Sequence, residues 1–201
     1  ARTVAQLQFS EKGFDVGQAS ARAYGGELRF GGGMRPAPDG RGSRIAFQGQ
    51  GQASAEGLRG ARELAFLSPL LEAASGSAPY QVQLAFTDAG RPDLTVTSSL
   101  QGLGLALPAP LDKAAQASLP LRVAFGPLSA ESGLARDQVG VDLGPAASPL
   151  LWVRLERDVS GPEARVLRGA YALGTGGPAT LAPRGVTARV ALAALDADAW
   201  D

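Results

Sequence analysis

Cysteine and histidine are both missing from this chain of 201 residues. Without cysteine there is no disulfide framework and no thiol chemistry. Without histidine the usual general base, the usual triad member and the commonest metal ligand are gone. Lysine occurs only at Lys12 and Lys113; the other basic residues are arginine. That bias accompanies a chain rich in Ala, Arg and Gly and is a composition effect. Nineteen basic residues balance nineteen acidic ones. Nucleic acid is therefore not an expected partner, because binding it needs a basic surface that displaces counterions. A polybasic hold on anionic lipid headgroups fails on the same ground. Aromatic residues make up only 6%. Tyr80, Trp152, Tyr171 and Trp200 are too scattered for a base-stacking platform, and a transmembrane barrel would need aromatic girdles. No apolar run approaches the ~20 residues of a spanning helix, and no N-terminal signal pattern is present.

What remains is a chain 45% hydrophobic and 19% charged, hence globular, and long enough for one or two domains with a sizeable core. Its organising stretch runs from Leu94 to Phe125. Leu94, Val96 and Ser98 alternate with Thr95, Thr97 and Ser99; Leu103, Leu105 and Leu107 share one face; Leu119, Leu121, Val123 and Phe125 share another. A side-chain period of two means strand, and one apolar face means one face turned from water. Pro108 and Pro110 break the ladder between the second and third runs. Earlier, weak strands are expected at 3–9 and 13–31, with Gly25-Gly26 as a tight turn. Gly31 to Gly42 reads as a loop and Arg44 to Gln50 as a strand. Residues 54–75 read as helix, with Ser54 capping, Leu58, Ala61, Leu64 and Leu67 on one side, Ser68-Pro69 starting a second turn and Gly76 ending it. Tyr80, Val82, Leu84 and Phe86 share a strand face. Further strands are expected at 138–143, 150–156, 164–173 and 185–192, with turn signals every ten or so residues, as in antiparallel β structure.

Candidate chemical constellations fail one after another. Asp196 and Asp198 share a strand side but lack a third ligand, and read as turn or cap acids. Gly102-Leu103-Gly104 has Leu107 where a dinucleotide loop needs its third glycine. Gly174-Thr175-Gly176-Gly177 lacks the lysine of a phosphate loop. No serine has a histidine to deprotonate it. Lys113 reads as solvated, or paired with Asp112. No catalysis, metal or cofactor is expected.

The central stretch also carries a resemblance. Ser98, Leu100, Gly102-Leu103, Leu107-Pro108, Pro110 and Lys113, followed by Pro120-Leu121, follow the phrase SxLxGLxxxLPxPxxK and its "PL" strand. Asp112 stands where that phrase often has glycine. Gly25-Gly26-Glu27-Leu28 and Leu195-Asp196-Ala197-Asp198-Ala199-Trp200 follow two lesser phrases. In these features the chain resembles the YhdP-type, AsmA-like proteins of Gram-negative bacteria. The resemblance implies a periplasmic segment of a longer protein anchored in the inner membrane. It implies a curved antiparallel sheet whose open apolar groove shields phospholipid acyl chains in transit to the outer membrane. Residues 1–201 then form one segment: strands over 1–53, a helical lid or plug over 54–75, strands over 76–201. Adjoining segments of the same chain would extend the sheet end to end, and parts outside this stretch would reach the two membranes.

On that reading the expected lipid-lining residues are Tyr80, Val82, Leu84, Phe86, Leu94, Val96, Leu103, Leu105, Leu121, Val123 and Phe125. The bland reading of the same alternation is a closed β-sandwich with a filled core, a structural or assembly module of the cell envelope. Composition alone does not separate the two.

Overall fold

Period-two alternation recurs along most of the chain, and the structure turns nearly all of it into one sheet. A computed structural model describes residues 4–11, 13–36, 43–87, 90–128 and 135–192. The strands are β1 (Val4–Ser10), β2 (Gly13–Ala23), β3 (Gly26–Pro36), β4 (Ser43–Ser54), β5 (Ala74–Phe86), β6 (Pro92–Ser98), β7 (Leu103–Leu105), β8 (Leu121–Pro127), β9 (Arg136–Leu143), β10 (Leu151–Asp158), β11 (Arg165–Leu173) and β12 (Gly185–Val190). They pair in the order β1-β2-β3-β4-β5-β6-β8-β9-β10-β11-β12, with β7 set aside on β5. The result is a curved, unclosed sheet, antiparallel at every step except β11 to β12, which run parallel. That step departs from the all-antiparallel expectation. Residues 174–184 must return to the starting end of β11, so β12 cannot form a hairpin with it.

Local chemistry explains the turns. Tyr24 (φ 52°) and Gly25 (φ 83°) both take positive φ and close a two-residue hairpin between Ala23 and Gly26. The turn thus sits one residue earlier than the glycine pair indicated. Strand β2 carries one extra residue at Gly17-Gln18 against both neighbours. The bulge shifts the phase, so Phe14 and Val16 face the same way as Ala19, Ala21 and Ala23. Residues 31–36, expected in a loop, continue β3; residues 37–42 lie outside the described residues.

Between β4 and β5 the expected helical segment is three short pieces: α1 (Ala55–Arg59), a 3-10 turn (Arg62–Leu67) and α2 (Ser68–Glu72). Ser54 caps α1, its hydroxyl accepting from Gly57 N–H at 3.0 Å. Ser68 is the first residue of α2 and not its cap, and that helix ends at Ala73, before Gly76. Arg59 ties the pieces to β5 by donating to the carbonyls of Leu71 and Ala74.

No second sheet packs on the first among the described residues. Among the described residues the buried hydrophobic ones are mostly alanines, and no large side chain is fully buried. A filled sandwich core would contain many. The closed-sandwich expectation therefore fails at its premise, a pair of packed layers.

Candidate apolar lipid-contact face

Register places side chains on the two faces of this sheet. Val82, Val96, Val123, Val141 and Val153 stand directly opposite one another on β5, β6, β8, β9 and β10. Two positions along, Phe47, Leu84, Leu94, Phe125, Val139 and Leu155 form a second transverse row. Two positions the other way, Tyr80, Ser98, Leu121, Leu143 and Leu151 form a third. Because side chains alternate across a strand, all three rows share one face. The intervening rows, with Gln81, Thr97, Arg122 and Asp142, or Gln83 and Thr95, share the other. Neighbouring strands lie ~4.8 Å apart, so from β2 to β11 the apolar face extends ~38 Å across the strands.

Most of this apolar face is half-buried: neighbours shield the side chains from the flanks, and no second sheet lies on top among the described residues. Tyr80 lies over Gly51, where a Cβ would come within 2.8 Å of the phenol ring. Tyr24 packs edge-on against Tyr80, ring centroids 6.4 Å apart. Toward the β12 edge the cover thins, leaving Tyr171, Val186 and Val190 exposed. The opposite face at that edge is shut instead. Ala170 and Ala172 are 0% and 1% exposed, and Thr187 Oγ1 donates to the Thr180 carbonyl, so the returning segment 174–184 runs over the polar side.

The two ends of the strands bound the apolar face differently. At one end Ala78, on the apolar side by register, is buried in a small cluster with Ala55, Ala74 and Leu103, against which Leu100 and Leu105 pack. At the other end Arg157 and Asp137, also on the apolar side, form a bidentate ion pair with both contacts at 2.9 Å. Asp137 is 4% exposed, and the Arg157 guanidinium sits over the Phe125 ring at 5.5 Å.

Nine of the expected lining residues therefore come together on one open face: Tyr80, Val82, Leu84, Phe86, Leu94, Val96, Leu121, Val123 and Phe125. Leu103 and Leu105 do not. Their strand is three residues long, pairs with Ala74–Gly76 and belongs to the end cluster; Leu107 lies beyond it, and Leu119 precedes β8. Sequence reasoning missed Phe47, Val139, Val141, Leu143, Leu151, Val153 and Leu155. The signal was available, since 138–143 and 150–156 carry the same alternation and the short connection from Leu143 to Leu151 fixes their relative phase.

The central sequence phrase builds that end cluster. Ser98 Oγ donates to the Pro79 carbonyl at 2.6 Å and accepts from Leu100 N–H at 2.9 Å. Gly102 takes φ 98°, and a Cβ there would collide with the Ser77 carbonyl oxygen. Lys113 is 7% exposed and donates to the carbonyls of Leu103 (2.6 Å) and Ala114 (3.1 Å). It is neither solvated nor paired with Asp112, and burial pushes its ammonium pKa down.

Among the described residues no three acidic, His or Cys side chains are grouped to hold a metal, and no helix is long and apolar enough to cross a membrane. Asp196, Asp198 and the phrase ending at Trp200 lie outside the described residues. The family model described as "YhdP protein" matches residues 1–201. No curated protein and no solved structure matches the chain.

Proposed function

Since the chain belongs to the YhdP family, matched over its whole length, we propose that its open apolar face shields the acyl chains of phospholipids in a periplasmic transfer bridge between inner and outer membrane. The observation that carries the reading is that, among the described residues, no second layer covers three transverse rows of Val, Leu and Phe side chains. In water such a face costs ~25 cal/mol per Å² left exposed, and apolar patches beyond a few hundred Å² mark interaction sites. Hydrocarbon laid on it recovers ~0.8 kcal/mol per methylene and needs no directional contact, so a lipid can slide from row to row. The chemistry required is none. The sheet is one segment of the path, adjoining segments of the longer chain extend it at its edges, and the membrane contacts belong to other parts.

Photocrosslinking in cells tests this. Crosslinkers at Leu84 and Val123 are expected to capture phospholipid, and those at Gln83 and Thr95, on the opposite face, to capture little. Capture from Gln83 and Thr95 alone would sink the proposal.

A further inference from the structure

The face turned away from the valine rows carries a continuous row of its own. Arg29, Gln50, Gln81, Thr97, Arg122 and Trp152 come from six strands and stand in register, with Asp142 filling the step between the last two. All of them line one open cavity of about 1180 Å³. Connectors bearing Pro120, Pro149 and Pro178 wall it on one side. Six strand spacings make the row ~29 Å long, the shape of a site for a linear polymer.

Three properties restrict the occupant. First, the backbone of these inner strands is already paired on both sides, so an extended peptide finds no edge to join and only side chains are on offer. Second, Gln50, Gln81 and Thr97 make no side-chain hydrogen bond within the described residues. Two amides and a hydroxyl, each both donor and acceptor, match a polyhydroxylated ligand. Third, the cavity holds Arg29, Arg122 and Arg154 against Glu27 and Asp142, three cations less two anions, one positive charge in excess. Glu27 takes Arg29 at 3.0 Å and Asp142 takes Arg154 at 2.8 Å. Arg122 reaches Asp142 only at 3.9 Å and keeps half of its side chain exposed, so the excess resides there. One excess charge over this length is too little for a polyphosphate. It suits an occasional carboxylate, which a guanidinium can hold by two parallel hydrogen bonds. Trp152 adds an apolar surface. Its indole is held by Arg154 at 4.9 Å, and Arg154 is itself fixed by Asp142 and the carbonyls of Val141 and Val153.

We propose that this row binds a linear polysaccharide bearing carboxylates. A carboxylate meets Arg122, hydroxyls meet the Gln50, Gln81 and Thr97 side chains, and the C–H face of a sugar ring packs against Trp152. The two faces then serve different polymers, and this site does not depend on lipid.

Retention of the chain on immobilised polygalacturonate, compared with cellulose, tests the site. Retention on polygalacturonate is expected to exceed that on cellulose, with elution by soluble oligogalacturonate. Arg122→Ala and Gln81→Ala should each weaken retention about tenfold, the scale of one hydrogen bond to a charged or buried partner, and Arg122→Lys should restore part of the loss. Circular dichroism reads the fold of each variant independently. Equal retention on both supports, no retention, or retention by folded variants unchanged from the parent would each overturn the assignment. Because Arg122 and Gln81 lie opposite the valine rows, lipid capture at Leu84 stays at the parent level in these variants, which separates failure here from failure of the lipid reading.

Discussion

Tyr80 shows how much one atom matters on a face with no layer above it. Its ring is useful, covering Gly51 and meeting Tyr24, but its hydroxyl is buried without a hydrogen-bond partner among the described residues, and burial pushes the phenol pKa up. Removing an unsatisfied buried hydroxyl while keeping the ring should help, so Tyr80→Phe is expected to stabilise by about 1 kcal/mol in thermal or urea unfolding. The pH sign follows from the raised folded-state pKa. The neutral phenol's contribution is intact below the unfolded pKa near 10 and is lost as pH climbs through the folded value. Parent stability should therefore fall more steeply above pH ~10 than that of Tyr80→Phe. Glycines give a paired test. A Cβ at Gly57 would collide with the Tyr24 carbonyl carbon, whereas one at Gly17 meets nothing within 4 Å among the described residues. Gly57→Ala should cost about 1–3 kcal/mol in urea unfolding, the scale of overpacking. Gly17→Ala should be neutral or stabilise by up to ~1 kcal/mol through the unfolded chain. Residue-level placement was the least legible part of the sequence. Periodicity reports which side of a strand a residue takes, but it has no term for an ammonium folded back onto carbonyls. The expectation of a Lys113 that is solvated or paired with Asp112 fails for that reason.

Strands with strict alternation were legible as elements. The faces of β5, β6 and β8 follow from their apolar residues alone, and nine residues are placed on one face that way. Elements whose phase breaks were not. Strand β3 hides behind Gly31, Gly32 and Gly33, which leave no side chains to alternate. The bulge in β2 switches the apolar positions from even to odd numbers, which dilutes the period. Leu103 and Leu105 alternate as a strand should, yet β7 belongs to the end cluster, a partner choice that alternation does not encode. In β10 the charged residues at the end of the strand clamp both faces. Glu156 takes Arg168 by two contacts of 2.8 Å on the polar side, while Arg157 takes Asp137 on the apolar side. Asp137 is buried, so removing its guanidinium leaves a carboxylate with no compensation. Arg157→Met is expected to destabilise by about 3 kcal/mol, and adding Asp137→Val should recover most of it, measured as a double-mutant cycle in urea.

Taken whole, the described residues form a sheet whose edge strands, β1 and β12, each pair on one side only. All of β1 is exposed, with Val4, Leu7 and Phe9 at 62%, 53% and 79%, and β12 is exposed throughout. Such edges recruit strands. The isolated chain should associate as its concentration rises, and Leu7→Lys with Phe9→Lys should suppress this in sedimentation velocity. The single layer was not legible in composition: the same greasy alternation fits a sandwich, and only the strand order, one sheet with no second one packed on it among the described residues, distinguishes an uncovered face from an interior. The parallel step between β11 and β12 decides what can follow. Nine direction reversals separate β1 from β11, and the tenth step adds none, so β12 points opposite to β1. Had every step reversed, the first and last strands would point the same way. A second unit of this kind, shifted sideways without rotation, could only have met the first in parallel. As built, the last strand of one unit meets the first strand of the next head to foot. Identical units can thus be laid side by side indefinitely, their oily sides flush and each junction indistinguishable in polarity from the hairpins within.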